Sequence, residues 1–191
     1  MCRDFLADPV APEVLDRILE TGFHAPSAGN TAALDLLVLQ GDATAAYWDL
    51  TLPPARRGGF RWPGLLRAPV LVVPYVDPDA YLSRYARVDK ASRGLSASID
   101  DWPVPYWFVD GGAAAMAVLL AAEAEGLGAL LFGQFDHEPA VRDCFGVPGR
   151  LRALGTLALG WPAPGGRRPS ASAARGRPSS EERIHLDRFG H

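Results

Sequence analysis

Strands and helices alternate along these 191 residues with no internal repeat, which places the chain in the α/β or α+β class, one sheet covered by helices. Two segments set that frame. Residues 69–76 form a β-branched, continuously apolar run of the kind that builds a strand buried on both faces. Residues 110–125 are almost entirely Ala, Leu, Val and Met, so a helix there has no polar face before Glu123 and is expected to be buried all round. With 48% hydrophobic and 21% charged residues, the balance is that of one ordinary globular domain.

The elements follow in order. Val14, Leu15, Ile18 and Leu19 repeat at helical spacing behind Pro12, a residue suited to a first turn where its missing N–H costs nothing. The turn-rich segment 22–30 ends that helix, and residues 34–40 read as a short strand. Asp42 is placed to cap a helix through Leu50. PPARRGGFRWPG is then a loop too rich in Pro, Gly and Arg for regular structure. After the strand at 69–76, Asp77-Pro78 opens a short helix to about Ala86, and a long connection leads to WPVPYWFVD. In that block Trp102, Tyr106, Trp107 and Phe108 read as interface packing ahead of a substrate wall. Gly126-Leu-Gly128 closes the apolar helix, 129–132 is a strand, Asp136 caps a helix to Cys144, and 152–159 is a last strand. Beyond Trp161 the tail is Pro, Gly, Ser, Ala and Arg until Ile184, Leu186 and Phe189, whose strand-like alternation predicts docking on another chain.

Composition and motif searches exclude several function classes. No uninterrupted apolar stretch approaches the ~18 to 20 residues of a bilayer-crossing helix, and MCRDFLADPV has no basic region followed by an apolar core. Cys2 and Cys144 cannot make a disulfide framework, so the expected setting is reducing and cytoplasmic. A net charge of −3 argues against nucleic acid, although residues 162–191 carry six arginines against three acids. GxSxG, GxxxxGK[ST] and HExxH are absent, and His24, His137, His185 and His191 have no metal-ligand spacing. Gly126, Gly128 and Gly133 follow a helix and precede a strand, the reverse of a phosphate-cradling turn. Cys144, beside Phe145 on an amphipathic helix, reads as core.

Two features stand out. In Ala25-Pro-Ser-Ala-Gly-Asn30 small residues permit close backbone approach while Ser27 and Asn30 offer donors and acceptors. In Arg175-Gly-Arg177 two guanidiniums can converge on one phosphate.

Taken in order with Arg3-Asp-Phe5, Pro9-Val10, Glu125-Gly-Leu-Gly128, Leu131-Phe-Gly133, Val147-Pro148, Leu159-Gly160 and Ile184-His185, these features resemble the nitroreductase family of FMN-dependent oxidoreductases. The likeness spans nearly the whole chain and is greatest to actinobacterial-looking members that share the WPVPYWFVD block. It implies an α+β fold with a central mixed sheet flanked by helices and an intertwined homodimer. Residues 1–161 would be the core, and residues 162–191 an arm that wraps the partner subunit. The resemblance further implies FMN at the dimer interface, with NAD(P)H as electron donor and a small aromatic or conjugated molecule, of nitroaromatic or quinone type, as acceptor.

Site residues follow from the same resemblance. Arg3 matches a basic residue at the pyrimidine edge of the flavin, where positive charge stabilises the reduced ring. Pro26, Ser27, Ala28 and Asn30 match the segment that reaches FMN from the partner subunit. Phe132 and Gly133 match the turn whose backbone N–H meets flavin N5. Arg175 and Arg177 match the basic pair on the FMN phosphate. No side chain is needed as nucleophile, because the cofactor carries the chemistry. The family pattern also has an Arg-Arg-Ser segment just upstream of the residue matching Arg3, before the given Met1, and Gln then Trp after Asn30, where this chain has Thr31-Ala32-Ala33-Leu34. Missing phosphate contacts, at ~1.5–3 kcal/mol each, would weaken FMN by one to several orders of magnitude. Two alternatives follow: a flavin-dependent dehydrogenase of a biosynthetic intermediate, or a family member with weakened or lost FMN binding.

Overall fold

The computed structural model describes residues 1–167, 169 and 171–190. Arg168, counted above in the basic tail, and His191, counted among the histidines, lie outside them with Ser170. The elements are α1 (Pro12–Phe23), β1 (Leu34–Gln40), α2 (Asp42–Thr51), α3 (Pro54–Arg57), β2 (Val70–Val76), α4 (Pro78–Tyr85), α5 (Tyr106–Ala124), β3 (Gly128–Phe132), α6 (Glu138–Cys144), β4 (Arg152–Ala153) and β5 (Thr156–Gly160).

The strands form one sheet in the order β1-β2-β5-β3, with β4 against the end of β2. Leu34 lies opposite Val76, Val70 opposite Leu159, and Gly128 opposite Gly160. Every strand pairing among the described residues is antiparallel, where the resemblance implied a mixed sheet. The reason is the strand order. β2 and β3 run the same way, but β5 lies between them and runs against both.

β2 is buried along its whole length because helices cover both faces of the sheet. Val70 and Val72 face α1 and α5, packing with Ile18, Val118 and Ala122. Leu71, Val73 and Tyr75 face α2 and α6, packing with Tyr47, Trp48 and Val141. That two-sided burial is why the strand reads as a continuous apolar run.

Several local expectations are corrected. α5 begins at Tyr106 rather than Asp110, directly after Pro105, whose fixed φ is compatible with the residue before a helix. By length and composition α5 is also apolar enough to cross a membrane. Within this chain it packs instead on α1 and on the sheet. Its burial is one-sided, however, since Val109, Met116 and Leu120 are exposed on the face that neither α1 nor the sheet covers. Asp42 is the first helical residue of α2, after Gly41 at φ +55°, where its charge favours the positive end of the helix dipole. Asp136 sits in a 3₁₀ turn, Phe135–His137, ahead of α6. The Pro- and Arg-rich loop holds the single-turn α3 and a 3₁₀ turn, Pro63–Arg67, each opened by a proline. The last strand is broken between β4 and β5 by Gly155 at φ +114°, a conformation that only glycine adopts without strain. In the tail no strand forms among the described residues, and Ile184, Leu186 and Phe189 are exposed.

The aromatic block divides. Trp102 and Trp107 pack inside this chain, edge-to-face on Tyr81, whereas Tyr106 and Phe108 are exposed. The N-terminal segment is tied into the body by main-chain bonds: Cys2 N–H to Ala129 O at 2.9 Å, Arg3 N–H to Gly166 O at 2.9 Å, and Leu6 N–H to Trp161 O at 2.8 Å.

Candidate functional site

Two recesses collect most of the residues singled out above. The larger has a volume of about 400 Å³, and Arg3, Phe132 and Gly133 line it together. Trp48 from α2 and Phe60 and Trp62 from the loop before β2 complete its aromatic walls, with Gln134 and His137 beyond the end of β3.

The walls are held by packing and by one buried network. Trp48 stacks on Phe132, rings 11° from parallel with centroids 5.7 Å apart, and Tyr47 meets both edge-on. The Tyr47 and Thr156 hydroxyl oxygens are 2.7 Å apart, and Gln134 Nε2 donates to Thr156 Oγ1 at 3.1 Å. Gln134 is only 4% exposed. Burial raises the Tyr47 phenol above its ordinary range, so the phenol stays protonated as a member of this network. The side-chain carbonyl oxygen of Gln134 and Trp48 Nε1 are sealed from solvent and have no hydrogen-bond partner among the described residues.

The turn after β3 depends on Gly133. A Cβ at that position would lie 2.6 Å from the ring of Phe135, which is itself at φ +47° and 85% exposed. Two cations flank one indole. The Arg3 guanidinium lies 5.3 Å from the Trp62 ring centroid and that of Arg61 5.0 Å. Among the described residues no Asp or Glu lines the recess. A flat-walled, cation-flanked cavity of this kind suits a planar ring that carries or acquires negative charge.

The smaller recess, about 80 Å³, lies under the turn that follows α1, lined by Pro26, Ser27, Tyr81 and Asp110 among others. Gly29, Asn30 and Ala32 all take positive φ, at 65°, 53° and 50°. Ser27 Oγ accepts the Ala32 N–H at 3.1 Å, which leaves its own O–H to donate. Both main-chain polar groups of Ala28 have partners: its N–H donates to Asp110 Oδ2 at 2.7 Å and its C=O accepts the Thr31 hydroxyl at 2.6 Å. Tyr81 donates to the same Asp110 oxygen at 2.7 Å. Burial, and then this bond, push the Tyr81 phenol far above its ordinary range.

Within one chain, then, Arg3, Phe132 and Gly133 come together, and Pro26 and Ser27 come together elsewhere. Asn30 is exposed and lines neither of these recesses. Arg175 and Arg177 are exposed on either side of Gly176, at the end of a 3₁₀ turn, and also line neither. Sequence reasoning missed Trp48, Trp62, Gln134 and Asp110. For Gln134 a signal existed, since an amide directly after a strand-ending glycine is placed to fold back into the sheet. For Trp48 and Trp62 none did, because the contacts that place them at the cavity, with Phe132 and Arg3, are made 84 and 59 residues away.

Comparison with known proteins bears on the whole chain. The model of the Nitroreductase family matches residues 1–161. A curated Archaeoglobus fulgidus protein, named for NADH dehydrogenase and NAD(P)H nitroreductase activity, is 26% identical over 157 residues, 80% of this chain and 75% of its own. A Desulfovibrio desulfuricans protein, solved in complex with FMN and titled a nitroreductase, is 25% identical with TM-score 0.63, covering 93% of this chain and 91% of that one. The fold also matches a nitroreductase family protein of Streptococcus pneumoniae TIGR4, with TM-score 0.71 at 19% identity over 96% of this chain and 94% of that one.

Proposed function

The chain belongs to the nitroreductase family, and from that premise we propose that it is an FMN-dependent oxidoreductase. In this reading it takes electrons from NAD(P)H and delivers them to a small aromatic or conjugated acceptor of nitroaromatic or quinone type. The working unit is a homodimer, and the arm beyond residue 161 embraces the second copy.

One observation carries the reading. The residues matched to the flavin's pyrimidine edge and N5, Arg3 with Phe132 and Gly133, are far apart in sequence yet line one aromatic-walled cavity of about 400 Å³. The cavity fits a flavin ring in shape and chemistry. Its walls are Trp48, Phe60 and Trp62, its lining lacks carboxylates among the described residues, and the Arg3 guanidinium beside Trp62 supplies positive charge that favours an anionic reduced ring. When bound, FMN supplies a two-electron carrier that takes a hydride from a nicotinamide and gives it to an acceptor.

The chain's own residues bind, orient and exclude water. Arg3, held by its main-chain bond to Gly166, keeps a positive charge at the cavity. The Tyr47–Thr156–Gln134 network fixes the turn after β3, so that its backbone N–H groups keep their direction. Ser27 lines the smaller recess with its O–H unused among the described residues, and in the proposed dimer it faces the flavin of the second copy. Arg175 and Arg177 are assigned to the phosphate.

The test is the visible spectrum of the purified protein, followed by titration with FMN and by gel filtration. A yellow protein releasing one FMN per chain and eluting as a dimer supports the reading. A protein that stays colourless in saturating FMN, also when extended upstream of Met1, overturns it. Oxidation of NADH and NADPH with nitroaromatic, quinone or oxygen as sole acceptor then separates the reductase from the dehydrogenase.

A further inference from the structure

We infer that Asp110 is a positioning residue for the flavin-binding turn: its carboxylate holds the strained backbone of residues 27–32 in the conformation that presents Ser27 and Asn30. This rests on the reading of that turn as an FMN contact.

Three observations carry it. First, the turn is strained, although bonds within it, such as Ala32 N–H to Ser27 Oγ, close it locally. Positive φ at Asn30 and Ala32, neither a glycine, is unfavourable and persists only where surroundings enforce it. Second, one carboxylate oxygen binds at the turn's centre. Asp110 Oδ2 accepts the Ala28 N–H at 2.7 Å and the Tyr81 hydroxyl at 2.7 Å, so the oxygen is fixed from α4 as well as from its own helix. Third, the turn is gripped from its other side. Arg84 Nε donates to Gly29 O at 2.7 Å while its two terminal nitrogens fork onto Asp89 at 2.9 and 2.7 Å, so this guanidinium is also locked in place.

The sequence arranges this at a distance of 82 residues. Asp110 is on the first turn and a half of α5, and the next residue, Gly111, sits against the sheet. A Cβ on Gly111 would lie 2.6 Å from both Val76 and Leu154, so only glycine lets α5 approach closely enough for its neighbour to reach Ala28. Asp110 is then the single polar side chain between Tyr106 and Leu120 on an otherwise apolar helix. Its place there answers the two donors it faces.

The experiment compares wild type with Asp110→Ala and Asp110→Asn by amide hydrogen exchange of residues 27–32 and by FMN titration. Leu39→Ala, in the core on the other side of the sheet, serves as a destabilised control. A lost hydrogen bond to a charged group is worth about tenfold to a hundredfold in an equilibrium. Asp110→Ala is therefore expected to speed exchange at Ala28 and weaken FMN by at least about tenfold each, Asp110→Asn to restore both to within about threefold, and Leu39→Ala to lower the unfolding midpoint while moving neither. Unchanged Ala28 exchange in Asp110→Ala overturns the inference, as does faster exchange with unchanged FMN affinity. A wild type that binds no FMN sinks the flavin role of the turn, while the exchange data still decide whether Asp110 clamps it.

Discussion

Tyr47 and Thr156, 109 residues apart in sequence, meet through hydroxyl oxygens 2.7 Å apart, and Gln134 donates to the same Thr156 oxygen. One small side chain on β5 thus joins α2 to the turn after β3, two elements that both line the larger cavity.

Replacing Thr156 with Val keeps the shape and removes that shared oxygen. Tyr47 and Gln134 are then left buried without it, a loss of about 1–3 kcal/mol for each stranded group. Urea unfolding of Thr156→Val is expected to show a drop of about 2–6 kcal/mol for the two groups together. The Tyr47→Phe/Thr156→Val double variant should lose clearly less than the sum of the two single changes, because one of the stranded groups is gone.

Alkaline stability depends on Tyr75, whose hydroxyl is buried without a partner among the described residues. Burial pushes its phenol from 10.0 up to about 12. The folded value is the higher one, so the contribution is intact below pH 10 and disappears as pH rises to about 12, where the unfolded chain ionises first. A shift of two units corresponds to roughly 3 kcal/mol. Denaturant midpoints measured from pH 9 to about 12 should fall less steeply for Tyr75→Phe than for wild type, with Tyr81→Phe adding a further flattening.

Two glycines near the cavity should respond differently to alanine. At Gly155, φ is +114° and a Cβ would lie 2.6 Å from the Phe132 carbonyl oxygen, so Gly155→Ala forces backbone to move and is expected to cost about 3 kcal/mol or more. At Gly133 the obstacle is the exposed ring of Phe135, which can swing away. Gly133→Ala should therefore change thermal stability little while displacing Phe135, which collisional quenching or a structure of the variant would reveal.

Arg175 and Arg177 are exposed in the tail and contribute nothing evident to the core. If they hold the FMN phosphate, Arg175→Ala/Arg177→Ala should weaken FMN by about two to four orders of magnitude, at ~1.5–3 kcal/mol for each of two charge-assisted contacts. Circular dichroism and the dimer's elution position should be unchanged. Equal affinity for FMN and riboflavin in the double variant, with a wild-type preference for FMN, would fix the phosphate as the group they read.

Local chemistry made most elements readable from sequence, and long-range geometry hid the rest. Pro12, Asp77-Pro78 and the apolar run in β2 each state their structure within a few residues. Gly155 splits the final strand through a backbone angle, which no hydrophobic pattern records. The exposed face of α5 was hidden for a different reason: a helix that is apolar all round looks the same whether its outer side meets this chain or another. Of the proposed site, the order of motifs singled out Arg3, Ser27 and Gly133. Asp110 escaped because an acid at the start of an apolar helix looks like a boundary, and its partner Ala28 has no side-chain chemistry to betray the contact.

The main-chain bonds that fasten Cys2, Arg3 and Leu6 to Ala129, Gly166 and Trp161 also set a timetable. During synthesis Arg3 is made 163 residues before its anchor, Gly166. α1 and the β1–β2 pair can form early, but the larger cavity is not completed until Gly166 has been made. A nascent chain stalled before Gly166 would display the sheet without a finished binding site, so ligand present in the cell has nothing to stabilise until the segment around Gly166 is released.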